Sequence, residues 1–275
     1  MKKSVTVRIR GGLGNQLFCY AIGFYLAKQN NLDFIIDGDT GFIGDKFGRE
    51  YSLHRFGHKK NKIKKIYWLF SRFLVIRLLV KIFYLTFKIP HKKRIFWVEN
   101  WGAFRSNGIK LNGNLYLDGY WQKADYLFEF RDCLRNSLMK NLRKESQVRL
   151  KPNSVAVHFR GSEVNFILDE DYYLAAVTKM RSKIKDPHFY LFSDVNFENI
   201  SSAFIEGEYT IVPKGGDDGF DNFILMCQCE NFIIANSTFS WWASFLSEND
   251  QKIIFLPKEI EKNLIPIQED AYFLV

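Results

Sequence analysis

The chain has 275 residues, which is enough for one large domain or two smaller ones. Apolar residues make up 47 % and charged residues 25 %, a balance that excludes a disordered chain and favours a soluble globular protein. Residues 1–150 carry 29 Lys and Arg against 11 Asp and Glu, a net of +18, whereas residues 151–275 carry 10 against 19, a net of −9. This asymmetry predicts two domains with different tasks, 1–150 and 151–275.

The first predicted elements form a β-α-β unit. Val5, Val7 and Ile9 alternate with polar residues and predict a strand, which ends in the turn RGGLG at residues 10–14. A helix follows from 15 to about 29, and LDFIID at 32–37 predicts a second strand. The glycine turn is neither a Walker loop nor G-x-G-x-x-G, because Leu17 stands where the last glycine belongs.

The most basic stretch is residues 58–94, and it overlaps a helical segment predicted at 60–95. Its longest uncharged runs are six residues, far short of the about 20 apolar residues that a membrane span needs. Two alternatives stay open. Arg77, Lys81 and Lys88 share one helical face, which is typical of a helix on an anionic bilayer. Equally, the segment could be one or two helices of a basic domain, packed inward. No nucleic-acid motif accompanies the charge, so nucleic acid is not a predicted partner.

The remaining pattern predicts a parallel, doubly wound sheet. LYLDGYW at 115–121 predicts a strand followed by the start of a helix. Further strands are predicted at 154–159, 188–193, 210–213, 231–237 and 252–256, and helices at 171–183, 221–229 and 239–247. Strands that alternate with helices favour an α/β fold, and the two halves are expected to join near 145–154.

The cysteines and the N-terminus carry no targeting or metal signal. The four cysteines form no C-x-x-C pair and no cluster with histidine, so no metal site is predicted. Free thiols are typical of a reducing compartment. MKKSVTVRIRGG has no apolar core of a signal peptide, so the expected location is the cytoplasm.

Polar side chains follow three of the predicted strands, where parallel sheets bind ligands. An Arg supplies a two-pronged donor for phosphate, a helix N-terminus attracts anions, and an Asp accepts hydrogen bonds from a base or ribose. The combination favours a nucleotide with a diphosphate. The alternative is an α/β domain with ordinary helix caps and an Arg160–Glu163 ion pair. The residues are His158, Arg160, Glu163, Asp194, Ser237 and Thr238.

Five segments resemble, in order, the motifs of bacterial α-1,2-fucosyltransferases, glycosyltransferase family 11. They are GGLGNQLFCYAIGFYLA, LYLDGYWQ, VAVHFRG, FYLFSD and LMCQCENFIIANSTFSWWASFL, spread over about residues 5–256. The resemblance implies a GT-B fold of two Rossmann-like domains that face a cleft, with the donor in the C-terminal domain. It also implies GDP-β-L-fucose as donor, inversion at the anomeric carbon, and neither a metal nor another cofactor.

The family motif His-x-Arg-Arg-x-Asp reads here from His158 to Glu163. His158 and Arg160 match, whereas Gly161 replaces the second Arg and Glu163 replaces the Asp. By resemblance, Arg160 neutralises the diphosphate of the donor. Glu163 is a candidate general base, although a structural ion pair with Arg160 explains it equally well; Asp37, Asp39 and Asp118 are weaker candidates. The loss of the second Arg leaves a GDP-colitose transferase as an alternative, and a non-catalytic binding relative as another.

The other motifs assign binding roles by the same resemblance. Asp194 is expected near guanine or ribose, and Ser237, Thr238 and Phe239 near the phosphates. In the N-terminal half, Gly12 and Gly14 let the turn approach the cleft, and Asn15 and Gln16 offer amides to the sugar or diphosphate; the alternative for Asn15 is a helix cap. Tyr120 and Gln122 could contact the acceptor sugar or lie in the core. The expected acceptor is a terminal galactose O2 of a glycan, such as a lipid-linked O-antigen unit at the inner membrane.

Overall fold

A computed structural model describes residues 3–90, 93–99, 109–140, 142, 149–160, 168, 170–193, 203–214, 219–258 and 272–274. Contacts divide the chain into two compact units, Met1–Phe130 (unit 1) and Arg131–Val275 (unit 2). The division lies earlier than the boundary expected between 150 and 151. Residues from 131 onward group with unit 2 because Arg131 and Arg135 donate hydrogen bonds to backbone carbonyls of Phe245 and Ser247.

Unit 1 contains, in its described part, a four-stranded parallel sheet in the order β2-β1-β4-β3. Its elements in chain order are β1 (Ser4–Arg8), α1 (Leu13–Gln29), β2 (Asp33–Asp37), a short 3₁₀ helix (Leu53–Phe56), α2 (Lys65–Arg72), α3 (Leu74–Thr86), β3 (Phe96–Val98), β4 (Leu115–Asp118) and α4 (Asp125–Phe128).

The predicted β-α-β unit is confirmed, and one glycine sets the distance between its helix and the sheet. Val5 and Val7 of β1 are fully buried beneath α1. A Cβ at Gly23 of α1 would lie 2.7 Å from the Phe34 ring and 2.9 Å from Val7 Cβ. Only glycine therefore lets α1 pack this closely against β1 and β2.

The basic segment, expected to form one or two helices, forms two, α2 and α3. The chain leaves helical geometry at Phe73, where φ is −108° and ψ is 115°. The inward side of the pair packs through Tyr67, Phe70 and Tyr84 onto the sheet, but much of α3 is exposed, so the inward-packing alternative describes one face only. The predicted cationic face is also interrupted, because Arg77 is paired with Asp118. No helix in the described part of the chain is long and apolar enough to cross a membrane.

Unit 2 contains, among its described residues, a six-stranded parallel sheet in the order β10-β9-β8-β5-β6-β7. Its elements are α5 (Arg131–Met139), β5 (Ser154–Phe159), α6 (Glu170–Lys183), β6 (His188–Ser193), β7 (Tyr209–Ile211), α7 (Phe220–Gln228), β8 (Asn231–Ile233), α8 (Thr238–Leu246), β9 (Ile254–Leu256) and β10 (Tyr272–Leu274).

The core of unit 2 is aromatic on the α8 side. Trp241 and Trp242 are fully buried and meet edge to face, with ring centroids 5.4 Å apart. Both indoles therefore belong to the core. The order of parallel strands and helices makes each unit Rossmann-like, as the family resemblance implied.

Candidate functional site

Arg160 and Ser237 meet at the carboxyl edge of the sheet in unit 2. Strands β5 and β8 pair in parallel, so the residues that follow them emerge at the same edge. Arg160 comes directly after β5, and its Nη1 donates a hydrogen bond of 2.6 Å to Ser237 Oγ. The two residues lie 77 positions apart in the chain, and the sheet brings them together.

Ser237 also caps α8. Its Oγ accepts a hydrogen bond from the backbone N–H of Phe239 at 3.3 Å, and its extended backbone (φ −147°, ψ 127°) is typical of an N-cap. The first turn of α8 contains no acidic residue. A guanidinium and a helix N-terminus, both positive, therefore share one hydroxyl, an arrangement suited to an anion.

His158 supports this edge from within the sheet. It is buried at 8 % exposure, its ring centroid lies 5.6 Å from that of Phe239, and its carbonyl accepts a hydrogen bond from the Tyr173 hydroxyl. Thr238 and Phe239 are half-buried at the start of α8. Their predicted contacts with phosphate stay predictions.

Two predicted site residues of unit 2 cannot be placed. Glu163 and Asp194 lie outside the described residues, as does Gly161. Their roles stay predictions. Within the described part of the chain, Ser237 is the hydrogen-bond partner of Arg160, and the alternative pairing with Glu163 is untested.

In unit 1 the glycine turn is held against a tyrosine. Gly11 has φ +77°, and a Cβ there would lie 3.1 Å from Asn15 Cβ and 3.2 Å from Tyr120 Cε1. A Cβ on Gly12 would meet no atom within 4 Å. Glycine at position 11 is therefore required for the conformation and packing of the turn, whereas Gly12 borders open space. Gly14 is buried in the first turn of α1.

Asn15 and Gln122 lie together although 107 residues separate them. Gln122 Nε2 donates a hydrogen bond of 2.8 Å to Asn15 Oδ1. The residue at the N-cap of α1 is Gly12, so the alternative that Asn15 caps the helix is wrong. Two predicted site residues thus form one polar pair beside the glycine turn.

Gln16 is used differently from the prediction. It is 1 % exposed; its Nε2 donates to the carbonyls of Gly11 and Glu50, and its Oε1 accepts from the N–H of Ser52. The amide therefore ties the loop at 50–52 to the glycine turn. A side chain buried and bonded in this way has no amide group to offer a sugar.

Glu99, which the sequence analysis missed, shapes the turn at Tyr120. Its two carboxylate oxygens accept hydrogen bonds from the N–H groups of Tyr120 and Trp121 at 2.7 and 2.8 Å. Trp121 has a positive φ of 56°. The guanidinium of Arg10 stacks over the Tyr120 ring at 4.4 Å. No local sequence signal marks Glu99, because its partners are 21 and 22 residues away.

Asp118, at the end of β4, is surrounded by arginines. Its carboxylate lies 2.9 Å from Arg77, 3.1 Å from Arg8 and 3.5 Å from Arg10, and its side chain is 1 % exposed. Both carboxylate oxygens face guanidinium groups, and the buried side chain leaves no room for an acceptor hydroxyl to reach it. Asp118 therefore does not fit a general base.

The other two acidic candidates of unit 1 are also paired. Asp37 is buried and accepts hydrogen bonds from the hydroxyls of Thr40 and Tyr116 at 2.5 and 2.7 Å. Asp39 is exposed and pairs with Lys60 at 2.5 Å. Asp37 therefore fixes the end of β2, and Asp39 lines the cavity beside it.

An open cavity of about 660 Å³ lies beyond the carboxyl end of β2. Its walls combine aromatic rings with charged groups, a mixture found in small-molecule sites. Phe42, Tyr51 and His54 were not predicted as cavity residues from the sequence. Aromatic residues between polar ones after a strand could have indicated them. The lining residues are Gly38, Asp39, Phe42, Glu50, Tyr51, His54, Lys59 and Lys60.

No metal-binding or thiol chemistry stands out among the described residues. They contain no group of three or more His, Cys, Asp or Glu side chains arranged to hold a metal ion. Burial raises the pKa of the Cys19 thiol to about 12 and that of Cys227 well above its usual value. These buried thiols are protonated near neutral pH and are not nucleophiles.

The two units with parallel sheets match a GT-B type fold, as comparison with solved structures shows. The chain is similar to a mutant of Arabidopsis thaliana FUT1 in complex with GDP, with a TM-score of 0.53 and 13 % identity over 92 % of this chain and 70 % of that one. It is also similar to E. coli heptosyltransferase WaaC with ADP, with a TM-score of 0.50 and 9 % identity over 98 % and 92 %.

The sequence comparisons name the family. The family model of glycosyl transferase family 11 matches residues 4–273, so the chain belongs to that family. It is 27 % identical to an α-1,2-colitosyltransferase from Escherichia coli over 92 % of this chain and 91 % of the relative. It is 24 % identical to the O-antigen biosynthesis glycosyltransferase WbnK from Escherichia coli, over 91 % and 93 %. The predicted family is confirmed.

Proposed function

We propose that the chain transfers L-fucose from GDP-β-L-fucose to the 2-hydroxyl of a terminal galactose, with inversion at the anomeric carbon. The observation that carries this proposal is the hydrogen bond between Arg160 and Ser237 at the N-terminus of α8. A guanidinium and a helix N-terminus at the edge of a parallel sheet fit the two phosphates of a nucleotide sugar.

The leaving group decides what the site has to supply. A departing GDP carries its new charge on phosphate oxygens, so no acid is needed to protonate it. Arg160 lies where it can stabilise that charge, and a donor of this kind is commonly worth about 10²–10³ in rate. The same positive charge makes a bound metal unnecessary in this proposal, and transfer is expected to continue in EDTA.

GDP-colitose is the second candidate donor, for two reasons. The chain is similar to an α-1,2-colitosyltransferase, and Gly161 replaces the second Arg of the family motif. Colitose is L-fucose without the 3-hydroxyl. A site that hydrogen-bonds this hydroxyl rejects colitose by about 10⁴–10⁵, whereas an apolar site rejects the extra hydroxyl of fucose by only about 10². The ratio of kcat/KM for the two donors therefore tells which sugar the site is built for.

The acceptor side of the reaction belongs to unit 1. The cavity beyond β2 offers aromatic faces from Tyr51 and His54 and carboxylates from Asp39 and Glu50. Sugar rings stack their C–H faces on aromatic rings and donate hydroxyls to carboxylates. The cavity is the proposed site for the acceptor glycan, with Tyr120 and Gln122 as further contacts. Because one relative, WbnK, is an O-antigen biosynthesis glycosyltransferase by name, a lipid-linked O-antigen unit on the cytoplasmic side of the inner membrane is the proposed acceptor.

The test compares donors directly. Purified protein is incubated with GDP-L-fucose or GDP-L-colitose and a β-galactoside, with and without EDTA, and the product linkage is read by NMR. An α-1,2-linked product supports the proposal, and the preferred donor separates the two candidates. GDP binding without turnover of either sugar identifies a non-catalytic relative. Tighter calorimetric binding of UDP than of GDP contradicts both donors.

A further inference from the structure

Helix α3 turns an apolar face to solvent. Its outward residues are 49–79 % exposed although all are large and aliphatic. On a helical wheel they occupy one continuous sector, opposite Ile76, Val80 and Tyr84, which face the sheet. Soluble monomers rarely expose apolar patches of this kind without a partner. This surface, the α3 apolar face, comprises Leu74, Val75, Leu78, Leu79, Ile82 and Leu85.

The inner side of helices α2 and α3 is firmly attached to the sheet of unit 1. The Tyr84 hydroxyl accepts hydrogen bonds from the N–H groups of Ile95 and Phe96, and Arg77 pairs with Asp118. The rings of Phe70 and Phe96 stack with centroids 3.9 Å apart. Helix α3 therefore cannot roll to bury its apolar face without breaking buried contacts.

The charge around the face identifies its partner. Between Glu50 and Glu99 the chain contains 13 Lys and Arg and no acidic residue. Lys81 borders the apolar face, and Arg72 and Lys88 flank the helix at its two ends; all three are exposed. Anionic lipids attract Lys and Arg side chains near the headgroups, and aliphatic side chains enter the acyl boundary.

We propose that α3 lies in the interface of an anionic bilayer, with its apolar face inserted and with Arg72, Lys81 and Lys88 at the headgroups. Its 13 residues span only about 20 Å, too short to cross the hydrocarbon core, so the helix lies in the plane of the membrane. Trp68 of α2 is 41 % exposed and packs edge to face with Phe73, which places an indole beside the inserted face.

Docking in this way has a consequence for the acceptor. Arg77 joins α3 to Asp118 at the carboxyl end of the sheet in unit 1, so the docked helix holds that edge close to the headgroups. A lipid-linked glycan enters from the same side. This consequence rests on the proposed function, whereas the lipid binding itself does not.

The experiment measures co-sedimentation with vesicles of equal parts phosphatidylglycerol and phosphatidylcholine, and with pure phosphatidylcholine. The test variant is Leu78→Glu/Ile82→Glu, which changes two exposed residues of the α3 apolar face. The matched control is Ile205→Glu/Ile211→Glu, which changes two exposed isoleucines of unit 2. In parallel, brominated lipids quench Trp68 on insertion, and a Trp68→Phe variant identifies its signal.

The wild type and the control are expected to bind anionic vesicles, to release on added salt, and to lose Trp68 fluorescence to brominated lipid. The Glu pair is expected to lower binding at least tenfold. Absence of wild-type binding at low salt, or equal binding by the Glu pair, overturns the proposal. So does a concentration-dependent dimer that the Glu pair dissociates without any lipid binding, because the face would then be a contact between copies. Turnover of the Glu pair on a soluble β-galactoside is expected to stay at the wild-type level, which keeps this test separate from that of the transferase.

Discussion

Substitutions of Arg160 and Ser237 test the proposed donor site most directly. The guanidinium is half-buried and bonded at 2.6 Å to the residue that caps α8. Arg160→Ala removes one preorganised cation next to the expected diphosphate, a loss of about 2.7–4 kcal/mol of transition-state stabilisation, or about 10²–10³ in kcat. Arg160→Lys is expected to recover little, because an ammonium cannot form two parallel bonds to phosphate oxygens.

Ser237→Ala removes two contacts of a single hydroxyl. The loss of the cap costs about 1 kcal/mol of unfolding free energy, which lowers Tm by about 2–4 °C in a chain of this size. The loss of the Arg160 contact lets the guanidinium leave its position, with an expected fall in kcat of about tenfold. Because the two side chains act through one contact, the double variant is expected to resemble Arg160→Ala alone.

The assay combines steady-state kcat for the four members of this double-mutant cycle with thermal unfolding. Ser244→Ala is the control, since its hydroxyl donates to the Trp241 carbonyl within α8 and does not touch Arg160. Near-normal turnover of Arg160→Ala rejects the assigned role. Additive losses in kcat would show that Arg160 and Ser237 act independently, contrary to the observed contact.

Three further predictions concern unit 1 and the stability of unit 2. Asn15→Ala and Gln122→Ala are each expected to lower turnover strongly and Tm only slightly, because the two amides bond each other beside open space. If turnover and Tm fall together, the pair is structural. Gly11→Ala is expected to cost at least about 1 kcal/mol in urea unfolding because of its φ of +77°, whereas Gly12→Ala costs little stability. Burial and a nearby lysine lower the pKa of His188, so the unfolded chain binds more protons and unit 2 loses stability as the pH falls below about 6.5. Urea midpoints of His188→Gln that are as pH-dependent as those of the wild type would contradict this assignment.

Most of the fold could be predicted from the local spacing of apolar and glycine residues. Alternation at Val5 and Val7, the glycine turn and the helical repeat after it predicted β1, α1 and β2. The same reasoning predicted that Arg160 and Ser237 would emerge at one sheet edge, and they are hydrogen-bonded there. These predictions succeeded because the spacing of side chains along a strand or helix is a local property, and parallel strands align their carboxyl ends.

Sequence patterns failed where the deciding partner lies far along the chain. Gln16 was predicted to offer its amide to a ligand, but three backbone groups, two of them in the loop at 50–52, take that amide. Glu99 was missed because its role depends on the N–H groups of Tyr120 and Trp121. Hydrogen bonds between residues more than 20 positions apart produce no periodic pattern in the sequence.

The sequence by itself determined that residues within 60–95 would be helical, basic and apolar, but not which side of the helix would face solvent. Apolar residues surround most of α3, so periodicity does not distinguish its two sides. Tertiary contacts decided the question, because the pairing of Arg77 with Asp118 and the hydrogen bonds to Tyr84 turn one side toward the sheet. Helical character follows from neighbouring residues, whereas the orientation of a helix follows from the surface on which it packs.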